Sequence, residues 1–208
     1  NPDFAPHGSC RVCLVKVNGR VQAACTTPAA AGLAVQSETG ELREIRRGIL
    51  QMLFVEGNHV CPACEKSGAC QLQAGAYYGG MLTPHYTQFY PRRPVDASHP
   101  EAVIDFNRCI LCELCVRASR DVDGKNVFAV QGRGIEAHLV VNTPSGKLGA
   151  TAFSIHDKAA QVCPTGAILT KHRGYEIPIG QRLYDRKPIS VVGDVATLSE
   201  SKGGRRHE

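Results

Sequence analysis

The ten cysteines of this 208-residue chain fall into three groups, and none is left over. Cys10, Cys13 and Cys25 form the first group. Cys61, Cys64 and Cys70 form the second, with His59 two residues ahead. Cys109, Cys112 and Cys115, with a remote Cys163 followed by Pro164, form the third. Repeated Cys-x-x-Cys spacing favours metal ligation over a disulfide framework. Cysteine density here is also below the roughly 8–10% of short disulfide scaffolds. A chain that commits every thiol to ligation must build its fold around those sites, because ligand binding contributes to folding free energy.

The third group is the most specific. Three thiols at intervals of three, closed by a remote Cys-Pro, is the bacterial ferredoxin pattern for a [4Fe–4S] cubane. A two-cluster ferredoxin would carry another cysteine four residues after Cys115, where Ser119 stands. Its second half-motif would need cysteines at Phe153, His156 and Ala159. The pattern therefore implies one cubane, held by Cys109, Cys112, Cys115 and Cys163.

The second group supplies three thiols and needs one more donor. His59 is the candidate, giving His59, Cys61, Cys64 and Cys70 as a cubane set, whereas His85 and His99 are not expected to ligate. A zinc ion is the alternative, since Cys3His is also a zinc set. Replacing thiolate by neutral imidazole removes a negative charge and should raise the cluster potential. In the first group, Cys10-x2-Cys13-x11-Cys25 offers three of the four ligands that a [2Fe–2S] cluster requires. Zinc or a vacant site is the rival there.

The formal charge of +5 suggests an anionic partner such as nucleic acid. Yet oxidised clusters carry roughly −2 each, or −1 with a histidine ligand. Three of them would cancel it, and no aromatic-rich basic motif supports RNA binding. No apolar run approaches the roughly 18–20 residues of a membrane span. No signal peptide is visible, and the thiol inventory suits a reducing compartment, so a cytoplasmic location is expected. No Gly-x-Gly-x-x-Gly dinucleotide loop is present. No Cys-x-x-Cys pair remains for nickel, so no catalytic residue is assigned.

Asn18-Gly19 between two short apolar runs predicts a hairpin. Residues 41–56 have helical periodicity through Leu42, Ile45, Ile49, Met52 and Leu53, and Gly57 ends the run. The Gly- and Pro-rich stretch 79–100 predicts a wrapped connection. Strands are expected within 136–142, 151–155 and 189–192, and a disordered tail over 199–208.

The order of motifs resembles the N-terminal electron-input region shared by respiratory complex I, [FeFe] hydrogenases and NAD-linked formate dehydrogenases. The stretch from Glu56 to Gln73 most resembles the small diaphorase subunit of soluble NAD-reducing [NiFe] hydrogenases. The segment from Gly174 to Gly180 onward does so too. In the complex I relatives the histidine usually stands further ahead of its first cysteine than the two residues seen here. The first group resembles a plant-type [2Fe–2S] domain of β-grasp fold. In such relatives the first ligand precedes the Cys-x-x-Cys pair, which here would put it ahead of Asn1.

The resemblance implies an α+β chain: an N-terminally truncated β-grasp [2Fe–2S] domain over 1–38 and a helix with a His-Cys [4Fe–4S] domain over 39–98. A ferredoxin-like [4Fe–4S] domain over 99–190 and a tail over 191–208 complete it. It implies a relay of single electrons between a flavin-containing diaphorase subunit, which carries FMN and meets NAD(H), and a [NiFe] hydrogenase small subunit. The corresponding subunit of complex I or of formate dehydrogenase is the nearer alternative. A zinc-stabilised interaction module is the more distant one.

Overall fold

The computed structural model describes residues 3–192. Three small antiparallel sheets alternate with short helices. The first sheet is built on the expected hairpin. Strand β1 (Leu14–Val17) turns through Asn18 and Gly19, at φ 47° and 82°, into β2 (Arg20–Ala23). Two consecutive positive φ values require such residues, and they match the right-handed twist of the strands. Strand β3 (Val35–Gln36) pairs on the other side of β1.

Helix α1 (Gly40–Val55) begins at Thr39, whose hydroxyl accepts from the Leu42 N–H at 3.2 Å, a standard N-cap arrangement. Its most buried residues are Leu42, Leu50, Gln51 and Val55, whereas Met52 is exposed. The inward face is thus rotated from the simple apolar repeat. The wrapped stretch explains this: Gln51 Oε1 accepts the His85 N–H at 2.7 Å, and the Val55 carbonyl accepts that of Phe89 at 3.0 Å. A buried polar side chain is tolerated because it is satisfied. Helix α2 (Gln71–Tyr78) starts immediately after Cys70 and packs on α1 through Leu50, Leu72, Ala76 and Met81.

The remaining residues form a second unit of structure. Strands β4 (Val95–Asp96) and β5 (Ala102–Asp105) lead into a short helix α3 (Leu114–Arg117), continued by a wider turn over Ala118–Val122. Strands β6 (Phe128–Gln131) and β7 (His138–Val141) form a hairpin. Helix α4 (Lys158–Gln161), strand β8 (Ile168–Thr170) and helix α5 (Leu183–Arg186) follow. Strand β5 is central in a β4-β5-β8 sheet. The core here contains Ile104, Phe106, Phe128, Leu139, Leu148, Phe153, Ala159 and Ile168.

Two expected strands are absent. Residues 151–155 form an irregular loop: the Thr151 hydroxyl donates to the Leu148 carbonyl and accepts the Phe153 N–H. Local side-chain bonds of this kind compete with a strand ladder. Residues 189–192 are helical, with the Pro188 carbonyl accepting from Val191 and Val192. Proline is well suited to the start of a helix. The expectation of disorder over 199–208 lies outside the described residues. No helix among the described residues is long and apolar enough to cross a membrane.

Candidate metal centres

Strand pairing assembles the third site. Strand β5 ends four residues before Cys109, and β8 begins five residues after Cys163. Their antiparallel register, Ile104 opposite Ile168, brings the tight loop and the remote cysteine together. Cys109, Cys112, Cys115 and Cys163 all line one cavity, walled by Ile110, Val130, Leu139 and Ile168. Between the thiols, Leu111 and Glu113 adopt left-handed φ values of 52° and 59°. Such residues are costly, and they turn backbone N–H groups inward as an anion-binding nest. The Leu111 N–H points at Cys109 Sγ at 3.5 Å. Backbone groups of Leu114 and Val116 face the Cys112 and Cys115 sulfurs.

The place of a second ferredoxin cluster is filled by protein. Phe153 and Ala159 are core residues. Ser119 is 1% exposed, and its hydroxyl accepts the Val127 N–H at 2.7 Å.

His59, Cys61, Cys64 and Cys70 likewise share a cavity, lined also by Phe54, Leu72, Gln73, Arg108 and Gly166. The His59 Nε2 is buried without a hydrogen-bond partner. A backbone hydrogen bond to Leu53 engages the ring. A ligating imidazole shows this arrangement: one nitrogen tied to the backbone, the other free. Burial, then the positive charge of Arg108, lowers the His59 pKa to about 4, so the ring is neutral at physiological pH. His99 is instead satisfied at both nitrogens, by the Phe153 carbonyl and the N–H groups of Glu101 and Ala102.

The first site is more open. Cys10 and Cys25 are exposed and Cys13 is half-buried. A Cys13–Cys25 hydrogen bond raises the Cys25 pKa, and Cys10 is close enough to add to that repulsion. Three sulfurs are thus gathered on the loop around the β1–β2 hairpin.

Burial disfavours bare thiolate at the two enclosed sites. It pushes Cys70 up to about 11, Cys112 up to about 12, and Cys115 well above the usual range. Ligation needs the deprotonated form, so a bound cation must supply the compensating charge. Each enclosed donor set lines a single cavity, and four separate donors around one cavity suit a cubane with one ligand per iron.

The sites are physically joined. Val12, Cys70 and Ile110, one from each cysteine group's loop, meet in one apolar cluster with Leu50 and Leu72. Arg108 crosses from the third site to the second. Its Nη1 lies 3.6 Å from Cys64 Sγ, 2.6 Å from Glu65 Oε2 and 3.5 Å from the Gly166 carbonyl, and its Nε lies 2.8 Å from Asp105 Oδ2. Burial presses the Arg108 pKa down, but Glu65, Cys64 and Asp105 together outweigh it. Sequence reading missed Arg108, because its contact with Cys64 spans 44 residues and no spacing rule signals it.

Three family models match in the order of the three sites. They are a 2Fe–2S iron–sulfur cluster binding domain over residues 2–40, the NADH-ubiquinone oxidoreductase-G iron–sulfur binding region over 46–85, and a 4Fe–4S single cluster domain over 103–170. The gamma subunit of the NAD-reducing hydrogenase HoxS of Cupriavidus necator is 41% identical, over 88% of this chain and 77% of that one. The alpha subunit of an NADPH-Fe(3+) oxidoreductase of Geobacter sulfurreducens is 36% identical, over 80% of this chain and 20% of its own length. Subunit 3 of the Thermus thermophilus NADH-quinone oxidoreductase is 30% identical, over 80% of this chain and 25% of its own. A crystal structure of an NAD+-reducing [NiFe]-hydrogenase in the H2-reduced state superimposes with a TM-score of 0.87 at 52% identity, over 90% of this chain and 80% of that one. With its iron–sulfur domains, their order and this degree of identity, the chain belongs to the iron–sulfur subunit family of NAD-reducing hydrogenases, related to the N-terminal region of the large iron–sulfur subunit of complex I.

Proposed function

We propose that this chain relays single electrons between a flavin-containing diaphorase subunit and the small subunit of a [NiFe] hydrogenase, in the cytoplasm. His59, Cys61, Cys64 and Cys70 would hold one cubane, and Cys109, Cys112, Cys115 and Cys163 another. Cys10, Cys13 and Cys25 would supply three ligands of a [2Fe–2S] cluster in a β-grasp unit. Its fourth donor is not among the cysteines here, since the other seven serve the cubanes. Residues 1–38, 39–98 and 99–190 are read as the three cluster-binding units. FMN and NAD(H) would sit on the diaphorase partner. The observation that carries this reading is the buried, unpartnered Nε2 of His59 sharing a cavity with three thiols.

Bound iron–sulfur clusters take up and release one electron at a time. The chain's own residues do the rest. The tight loops fix the sulfur positions, and inward N–H groups at Leu111, Leu114 and Val116 favour the anionic thiolates. The apolar cluster of Val12, Cys70 and Ile110 excludes water between the sites. Low polarity between sites limits the solvent rearrangement that accompanies a charge change.

Iron, acid-labile sulfide, zinc and flavin are to be measured in the native complex. About eight irons from two cubanes are expected, with two more where the binuclear site is complete. The protein should be brown. Stoichiometric zinc with little sulfide in colourless protein would identify an interaction module instead.

A further inference from the structure

We propose that Arg108 sets the reduction potential of the second-site cubane, donating to the Cys64 thiolate and raising the potential, while Glu65 and Asp105 orient it and offset part of its charge. The inference rests on the reading that His59, Cys61, Cys64 and Cys70 hold that cubane.

Arg108 belongs by sequence to the third site, one residue before Cys109. By position it belongs to the second, where its guanidinium lines the cavity with all four donors. Two carboxylates fix it there: Glu65 takes Nη1 at 2.6 Å, and Asp105 takes Nε at 2.8 Å. The side chain is only 19% exposed. Its Nη1 faces Cys64 Sγ at 3.6 Å.

Reduction adds a negative charge to a cluster. A nearby cation and an N–H donor to a ligand sulfur both favour the reduced state, and hydrogen bonds to sulfur are a principal lever on potential. The same Nη1 serves both Glu65 and Cys64. The carboxylate is nearer and forms the stronger, charge-assisted bond, so Glu65 draws the donor away from the sulfur and adds negative charge beside the site. Glu65 should therefore lower the potential and Arg108 raise it. A purely structural clamp predicts no such opposition of sign. Lysine keeps the charge but lacks the planar fork that meets Glu65, Asp105 and Cys64 together.

The test is a redox titration of the second-site signal, followed by EPR, in the assembled complex containing the full-length chain. Wild type is compared with Arg108→Gln, Arg108→Lys and Glu65→Gln, with iron and sulfide counted in each. At the wild-type midpoint, Arg108→Gln should lower the reduced-to-oxidised ratio about tenfold, equivalent to ~59 mV for one electron. Arg108→Lys should fall in between, and Glu65→Gln should raise the ratio. Shifts of the same sign in Arg108→Gln and Glu65→Gln, or no shift with the cubane intact, would overturn the inference. Where Arg108→Gln fails to assemble the cubane, Glu65→Gln decides: an unchanged or lowered potential overturns it. Absence of a second-site cubane from wild type would instead refute the ligand reading, and this inference with it.

Discussion

The Gln71 N–H donates to the Pro164 carbonyl over 2.9 Å. Each of these residues follows a candidate ligand by one position, Cys70 in the second site and Cys163 in the third. One hydrogen bond thus links the two donor sets through backbone alone. The Asn58 N–H adds a second clamp, donating to the Asn107 carbonyl at 2.8 Å. The two enclosed sites are therefore held at a fixed separation by groups that side-chain substitution does not remove.

The Asn107 side chain braces the segments on either side of that backbone clamp. Its Nδ2 donates to the Arg93 carbonyl and to Asp105 Oδ1, and its Oδ1 accepts from Asn58 Nδ2 and the Arg93 N–H. Asn107→Ala strips the Arg93 N–H and carbonyl of these bonds, whereas Asn58 Nδ2 keeps the Pro91 carbonyl and Asp105 Oδ1 keeps the Asn107 N–H. It should cost about 2–3 kcal/mol and weaken the magnetic interaction between the reduced cubanes. Thermal unfolding of the holoprotein and EPR of the reduced state measure the two effects. Wild-type values for both would show that the backbone clamps suffice.

Gly166 packs so closely on the second site that a Cβ there would lie 2.7 Å from Cys64 Sγ and 3.2 Å from Lys66 Cβ. Real atoms do not approach that closely, so Gly166→Ala must displace Cys64. Iron analysis and site-resolved EPR should show a disturbed or depleted second site beside an intact third one. Loss of both signals together would mean that Gly166 supports the Cys163 loop rather than Cys64.

Ser119 occupies the position of a ferredoxin ligand but serves the core, accepting the Val127 N–H while its own carbonyl accepts from Lys125 and Asn126. Ser119→Ala should keep all iron and lose about 1–2 kcal/mol of stability, because one buried donor goes unmet. Iron counts with thermal melts check this. A missing third-site signal at unchanged stability would place Ser119 in the ligand set.

The cysteine groups, the hairpin at Asn18-Gly19 and helix α1 were legible in the sequence because each rests on local spacing or local backbone preference. The third site was legible although Cys163 is remote, because its spacing pattern is so restrictive. The loop over 151–155 was not, since the Thr151 hydroxyl bonds that hold it irregular leave no mark in the pattern of residue types. The inward face of α1 was misjudged at Met52 because the wrapped stretch that reaches Gln51 and Val55 arrives more than thirty residues later in the chain. Arg108, Glu65 and Gly166 were invisible for the same reason: long-range contacts at the second site leave no periodic trace.

Electron entry should depend on a partner. The sequence has no dinucleotide loop, and hydride must be divided into single electrons by a flavin before clusters carry them. Dithionite should bleach the isolated chain, whereas NADH should not until the flavin subunit is added. Stopped-flow absorbance follows both reactions. Rapid bleaching of flavin-free chain by NADH would contradict the relay assignment.

His59 gives the most direct test of the second site. Its Nε2 is buried and unpartnered, an arrangement that costs free energy unless something binds there. Burial holds the ring neutral, with a pKa of about 4, so an iron ligated by it lacks the negative charge that a thiolate would bring. His59→Cys should keep four irons if the loop allows the shorter reach, and should lower the potential, since the added anion favours the oxidised state. His59→Ala should leave one iron without a protein donor and yield a labile or three-iron cluster. His59→Ala also removes the Phe54–His59 edge contact, whose ring centroids lie 5.4 Å apart, so a stability loss alone would not be diagnostic. Iron content and spectroelectrochemical titration are. His85→Ala and His99→Ala should change neither ligation nor potential, although His99→Ala should destabilise the fold by removing a buried, fully bonded ring. Four irons at an unchanged potential in His59→Ala would mean that another group completes the second site.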